Sequence, residues 1–250
     1  MHDKNILVTR PALQAEGLCA LLEAEGANPI RFPTLEILPP RDPQAAARVI
    51  DQLARFDLAI FISANAVEHA LPLIQQLITP RLKLAVVGQA SARALAGFGY
   101  APHIVPASDF SSEGLLAVPA LQALQGKRIV IFRGEGGREL LAEALRARDA
   151  DVVYAEVYRR SVPALDPAPL IARWHRGDID AVTVTSNEAL QNLFAMIGAD
   201  GQQWLRTTPL VVVSARARAL AQTLGVRAPV AEAEAASDVA IVATLRKLLG

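Results

Sequence analysis

Residues 129–141 read IVIFRGEGGRELL: an apolar run, then glycines, then a helical pattern. Free N–H groups at the start of such a helix suit an anion of any kind. A dinucleotide is a poor match. Gly134 and Gly136 begin a G-x-G-x-x-G pattern, but Glu139 stands where its third glycine belongs. No Gly-Lys-Ser/Thr follows either, which removes a P-loop. Metal chemistry is also poorly served, because His2, His69, His103 and His175 are scattered and neither Cys-x-x-Cys nor His-x-x-x-His occurs. No Ser-His-Asp or paired-carboxylate signature is recognisable. Arginines remain. Of 25 basic residues only Lys4, Lys83, Lys127 and Lys247 are lysines, a bias that suits forked recognition of carboxylates or phosphates or reflects coding preference.

The chain behind these residues has 250 positions, room for two ordinary domains. It is 52% hydrophobic and 20% charged, as a globular protein is, and its 25 basic and 25 acidic residues cancel. That balance argues against nucleic acid, which demands a basic excess or patch. No apolar run reaches a membrane span of about 18 residues, and MHDKNILVTR at the start lacks a signal-peptide pattern. The lone Cys19 sits among leucines and reads as a packed thiol. Together these features predict a cytoplasmic protein.

The sequence states itself twice. ILVTRP from Ile6 matches IVIFRG from Ile129, an offset of 129 − 6 = 123. The same offset pairs Arg10 with Arg133, Gly26 with Asp149, Pro40 with Pro163, Asp57 with Asp180 and Ser63 with Ser186. LAVVGQASARAL at 84–95 lies over LVVVSARARAL at 210–220 with one residue dropped. Such spread matches indicate a duplicated α/β unit. Apolar runs at 6–8, 58–62, 84–87, 129–132, 181–185 and 210–213 predict buried parallel strands with helices on both faces, including one helix over 137–148. Ligands of such sheets sit beyond the carboxyl ends of the strands, which here carry Arg10, Ser63, Gly88, Arg133, Ser186 and Ser214.

Two proline-marked segments, TLEILPP at 34–40 and VYRRSVP at 157–163, interrupt each half and read as linkers. A crossed assignment joins one end of each half; a simpler split near residue 125 fits the same pattern. The twin linkers differ where it matters. Leu35, Glu36 and Ile37 face Tyr158, Arg159 and Arg160, so one copy offers a phenol and two guanidinium groups that the other lacks.

At these residues the chain resembles the uroporphyrinogen-III synthases. VTRP at 8–11, SANAV at 63–67, VGQASARAL at 87–95, FRGEGGRELLAEALRARDADVVYAEVYRR at 132–160 and VTSNEAL at 184–190 carry the resemblance over essentially the whole length. It implies an α/β fold of two similar lobes, each a parallel sheet with helices on both faces, joined by a two-stranded linker. The lobes would be 1–34 with 165–250, and 43–155, with linkers 35–42 and 156–164. It implies cyclisation of the linear tetrapyrrole hydroxymethylbilane, with loss of water and inversion of the last pyrrole ring, by a monomer without cofactor or metal. Neither nucleic acid nor membrane is expected as a partner.

That substrate carries an acetate and a propionate on every ring, and helix N-termini can hold many carboxylates without excess positive charge. The resemblance therefore implies substrate contacts at Arg10, Ser63, Asn65, Ser91, Arg133, Gly136, Arg138 and Ser186. It implies that Tyr158 is catalytic, since a phenol is protonated at neutral pH and can donate to a departing hydroxyl. Arg216 departs from the small hydroxyl residue usual in the family, and Asp149 replaces the glycine of the first copy with a residue that tolerates a helix-ending turn. The rival reading is a two-lobe protein that binds or senses a small anion without chemistry.

Overall fold

The computed structural model describes all residues 1–250. Ten strands and eleven α-helices alternate along the chain. Contacts divide them into two compact units, one of Met1–Glu36 with Ser161–Gly250 and the other of Ile37–Arg160. Each is built on a five-stranded sheet.

The first unit holds β1 (Asn5–Val8), α1 (Ala12–Ala24) and β2 (Asn28–Arg31) from the start of the chain. From its end come α7 (Ala168–His175), β8 (Ala181–Val184), α8 (Asn187–Met196), α9 (Gly198–Leu205), β9 (Leu210–Val212), α10 (Ala215–Thr223), β10 (Val230–Glu232) and α11 (Asp238–Leu249). Strand order is β10-β9-β8-β1-β2, with every recorded pairing parallel. Alternating side chains explain the helices on both faces. Leu7, Val182, Val184, Leu210 and Val212 pack under α7 to α10, while Ile6, Val8, Ala181 and Val211 pack under α1 and α11.

The second unit holds β3 (Glu36–Leu38, whose first residue is counted with the first unit), α2 (Pro43–Ile50), β4 (Leu58–Phe61), α3 (Ala64–Ile74), β5 (Lys83–Val86) and α4 (Gln89–Gly97). It continues with α5 (Ser112–Leu116), β6 (Arg128–Gly134), α6 (Leu140–Arg146) and β7 (Asp151–Ser161). Its order is β3-β7-β6-β4-β5, and Ile104 adds an isolated parallel bridge beside Ala85. Ala59, Phe61, Val130 and Phe132 face one core, and Leu58, Ile60, Ile129 and Ile131 the other. Phe61 and Phe132 stack with centroids 5.0 Å apart. Segments 35–42 and 156–164, read as linkers, contribute β3 and the end of β7 to this sheet.

Two local expectations change. The helix expected over 137–148 begins only at Leu140, because Gly136 and Gly137 take φ of +72° and +105°, outside helical geometry. The segment 157–163, read as a linker, is strand as far as Ser161, and its pairing with β6 is irregular. Arg133 lies opposite Glu156 and Gly134 opposite Tyr158, so Val157 is an extra residue on β7. This bulge turns Tyr158 into the same core as Ala155 and Val157, whereas Tyr154 packs against the opposite one. Cys19 is a buried free thiol, and burial pushes its pKa up.

Candidate active site

The carboxyl ends of the strands carry a series of capped helices. Ser186, Ser214 and Ser237 cap α8, α10 and α11 in the first unit, accepting from the N–H groups of Ala189, Ala217 and Ala240 at 3.0, 3.2 and 3.3 Å. Each cap satisfies one of the first four N–H groups and leaves others for an anion. Ser186 was anticipated from the sequence as a contact; Ser214 was visible as a strand end, and Ser237 was missed. The signal for both lay in a small hydroxyl residue opening a helical stretch. Arg10 is less available than its position implies: its guanidinium pairs with Asp238 at the start of α11, and its side chain is 15% exposed.

In the second unit Ser63 caps α3, accepting from Ala66 N–H at 3.0 Å. Its Oγ also lies 3.1 Å from Tyr158 Oη, a bond in which either oxygen can donate. The bulge at Val157 makes this meeting, since it aims the phenol into the core beneath α3. Three things fix the ring. Tyr158 is only 2% exposed. His69, from the next-to-last turn of α3, stacks on it with centroids 5.7 Å apart. Gly134 lies so close that a Cβ there would stand 2.6 Å from the ring, so no side chain fits while Tyr158 holds this place. Asn65 follows in the first turn of α3, half-buried. Ser91 is buried in the first turn of α4, which is capped by Gly88 without a side-chain bond.

The glycine loop answers to Arg133. This side chain is 2% exposed and donates to the carbonyls of Gly134 and Gly136 and to Glu139. Its guanidinium also covers the Tyr154 ring at 4.4 Å. Arg133 thus shapes the loop from inside, with its guanidinium bonded to two loop carbonyls and Glu139. The Gly136 N–H faces Glu156 at 3.4 Å, so the expected carboxylate cradle already holds a carboxylate of the protein. The Tyr154 hydroxyl first, then Arg133, hold the Glu139 pKa below the ordinary glutamate value. Burial and the nearby Glu139 raise the Tyr154 phenol.

A cavity of about 180 Å³ opens above this face of the sheet, lined among others by Ile62, Val87, Ser112, Arg133, Arg138 and Tyr154. Arg138 is its exposed cation, paired loosely with Glu113 at 3.4 Å. Ser112 is a lining hydroxyl that sequence reasoning missed. Tyr158 and Ser63 are not part of this cavity, so the expected site residues of the second unit fall on two faces of one sheet. No group of three or more His, Cys, Asp or Glu side chains is arranged to hold a metal ion, and no helix is long and apolar enough to cross a membrane.

Residues 16–241 match the family model described as Uroporphyrinogen-III synthase HemD. The chain belongs to the uroporphyrinogen-III synthase family. Curated members from Salmonella typhimurium and Escherichia coli are each 36% identical to it, over 227 and 225 residues. Each alignment covers 88% of this chain and 92% of the relative. A solved mutant uroporphyrinogen III synthase from Thermus thermophilus shares the fold with a TM-score of 0.65, covering 98% of both chains at 22% identity.

Proposed function

We propose that this chain closes hydroxymethylbilane to uroporphyrinogen III, with loss of water and inversion of the terminal ring, and that Tyr158 supplies the proton for the departing hydroxyl. The activity is that of the family to which the chain belongs, matched over residues 16–241. The observation that carries the reading of the site is the bond between Tyr158 and the helix cap Ser63. The substrate's carboxylates meet the N–H groups and hydroxyls at the carboxyl ends of the strands, with Asn65, Ser186 and Arg138 among the groups that hold them, while Ser63 meets the substrate at the hydroxymethyl end. Arg10, Arg133, Ser91 and Gly136 support these ends. Segments 35–42 and 156–164 act as the linkers between two lobes. In this reading the protein is a cytoplasmic monomer that needs no cofactor, metal ion or nucleic acid.

Hydroxymethylbilane closes unaided to the type I isomer, so the enzyme must divert a reaction that already runs. Purified protein should give the type III isomer, separated from type I by chromatography of the oxidised porphyrins. Type I alone, at the rate seen without protein, would sink the function and leave the anion-binding rival.

A further inference from the structure

We infer that the proton reaches the substrate through Ser63, with Tyr158 as the buried donor behind it. This rests on the proposed role of Tyr158. A phenol that is 2% exposed does not meet a leaving group directly; it meets what its neighbours present. Its hydroxyl contacts Ser63 Oγ at 3.1 Å, and Ser63 is only partly buried, at the carboxyl end of β4.

The bonding capacity of a serine hydroxyl gives the direction. It has two acceptor lone pairs and one proton. One lone pair takes the Ala66 N–H at 3.0 Å, and the other is placed to accept from the Tyr158 hydroxyl 3.1 Å away. Ser63 is left with its own proton to give, on a helix N-terminus whose positive end draws the oxygens of the substrate. With the bond reversed, the phenol proton would need a second acceptor in a core of Phe61, Phe132, Val157 and their neighbours. His69 stacks on the ring with centroids 5.7 Å apart and orients the phenol.

The step then balances. The C–O bond of the hydroxymethyl group breaks and its electron pair leaves with the oxygen. The Ser63 proton converts that oxygen to water. The pyrrole nitrogen lone pair fills the gap at carbon, giving the azafulvene cation. The Tyr158 proton moves to Ser63 Oγ, and the phenolate recovers a proton when the ring-closing pyrrole gives one up. Ser63 is the group that touches the reacting atoms, and Tyr158 acts through it.

The test compares Ser63→Ala, Tyr158→Phe and the double variant by steady-state kinetics on hydroxymethylbilane. Each single change should lower kcat by about 10²-fold, the low end for a general acid, with KM little changed. The double variant should be no slower than the slower single, because both changes cut one path. Ser63→Asn keeps the helix cap and should keep the melting temperature but not the rate, and Ser63→Thr should restore most of it. A rise in KM alone in Ser63→Ala would make Ser63 a carboxylate ligand and overturn the relay. An impaired Tyr158→Phe beside a fully active Ser63→Ala would do the same while sparing Tyr158. Full activity in Tyr158→Phe would instead remove the role of Tyr158 itself.

Discussion

Ser63 and Ser186 are the same position in the two copies of the repeat, and they do different work. Both cap a helix at the end of a central strand, with the same 3.0 Å bond to the third residue onward. Ser186 is exposed and makes no bond to a phenol. Ser63 is joined to Tyr158, whose twin position holds Leu35. The next difference follows from that one. Gly134 has no side chain because Tyr158 occupies the space, while its counterpart in the first copy is Pro11. The capping serine is common to both copies; the phenol bonded to it is present in one.

The strongest way to sharpen this contrast is to remove the twin arginines. Arg133 is 2% exposed and serves two carbonyls and Glu139, whereas Arg10 is 15% exposed and serves one carboxylate. Arg133→Met leaves those acceptors without their donor and should cost about 2–4 kcal/mol in urea melts. Arg10→Met should cost about 1 kcal/mol. Equal losses would break the distinction between a loop-shaping arginine and a strand-end ion pair. Acid adds a second arm. Glu139 has a lowered folded pKa, so the stability it contributes is present above its unfolded pKa and lost as pH falls through the folded one. In Arg133→Met that loss should be smaller and be complete at a higher pH than in the wild type.

A feature that both copies share should respond alike. Asp57 accepts the N–H of Arg128, the first residue of β6, at 3.0 Å, and Asp180 accepts that of Asn5, the first residue of β1, at 2.8 Å. Lysine completes each site, Lys127 at 3.7 Å and Lys4 at 2.8 Å, and Arg81 adds to the first. Asp57→Asn and Asp180→Asn should each cost about 1–2 kcal/mol at neutral pH. The Arg128 N–H, then the Arg81 side chain and Lys127, lower the Asp57 pKa against an opposing burial effect. The stability Asp57 contributes is therefore lost as pH falls through that depressed value, and the gap between wild type and Asp57→Asn should close there. A constant gap across the acid limb would show that the charge contributes nothing.

Much of this was legible in the sequence. Strand runs at 6–8, 58–62 and 181–185 became β1, β4 and β8 almost residue for residue, because fully buried strands need unbroken apolar runs. Ser63 and Ser186 were legible as strand-end residues, since the repeat placed both there. Two things were hidden, for different reasons. Val157 is an ordinary valine, and nothing in a valine announces a bulge; its effect on Tyr158 depends on pairing with β6. Arg133 was legible only as a strand-end arginine, because strand-end position says nothing about which way a long side chain folds. Its turn inward depends on the carbonyls of Gly134 and Gly136, which only the folded loop presents.

The smallest expected effect comes from a pair of turns that the copies solve in opposite order. In the first copy Asp3, at φ +58°, donates its N–H to the carbonyl of Gly26, at φ +75°, across 2.9 Å. In the second copy Gly126, at φ +69°, donates to Asp149, at φ +61°, across 3.0 Å. Positions 3 and 126, and 26 and 149, are twins by the same offset, so each turn holds one glycine and one aspartate, exchanged. Left-handed geometry strains any residue with a Cβ, and aspartate tolerates it better than most without matching glycine. Asp3→Gly and Asp149→Gly should therefore each stabilise by up to about 1 kcal/mol, offset in part by the greater freedom of glycine in the unfolded chain. That is a rise of about 2–4 °C at most in a chain of this size. The two sites lie in different units and should add. Gly26→Ala should lose stability, because the new Cβ is strained and meets the His2 ring at 3.1 Å. A destabilised Asp149→Gly would mean that the aspartate side chain holds its turn by a contact of its own, and the two turns would then no longer be one device written in two orders.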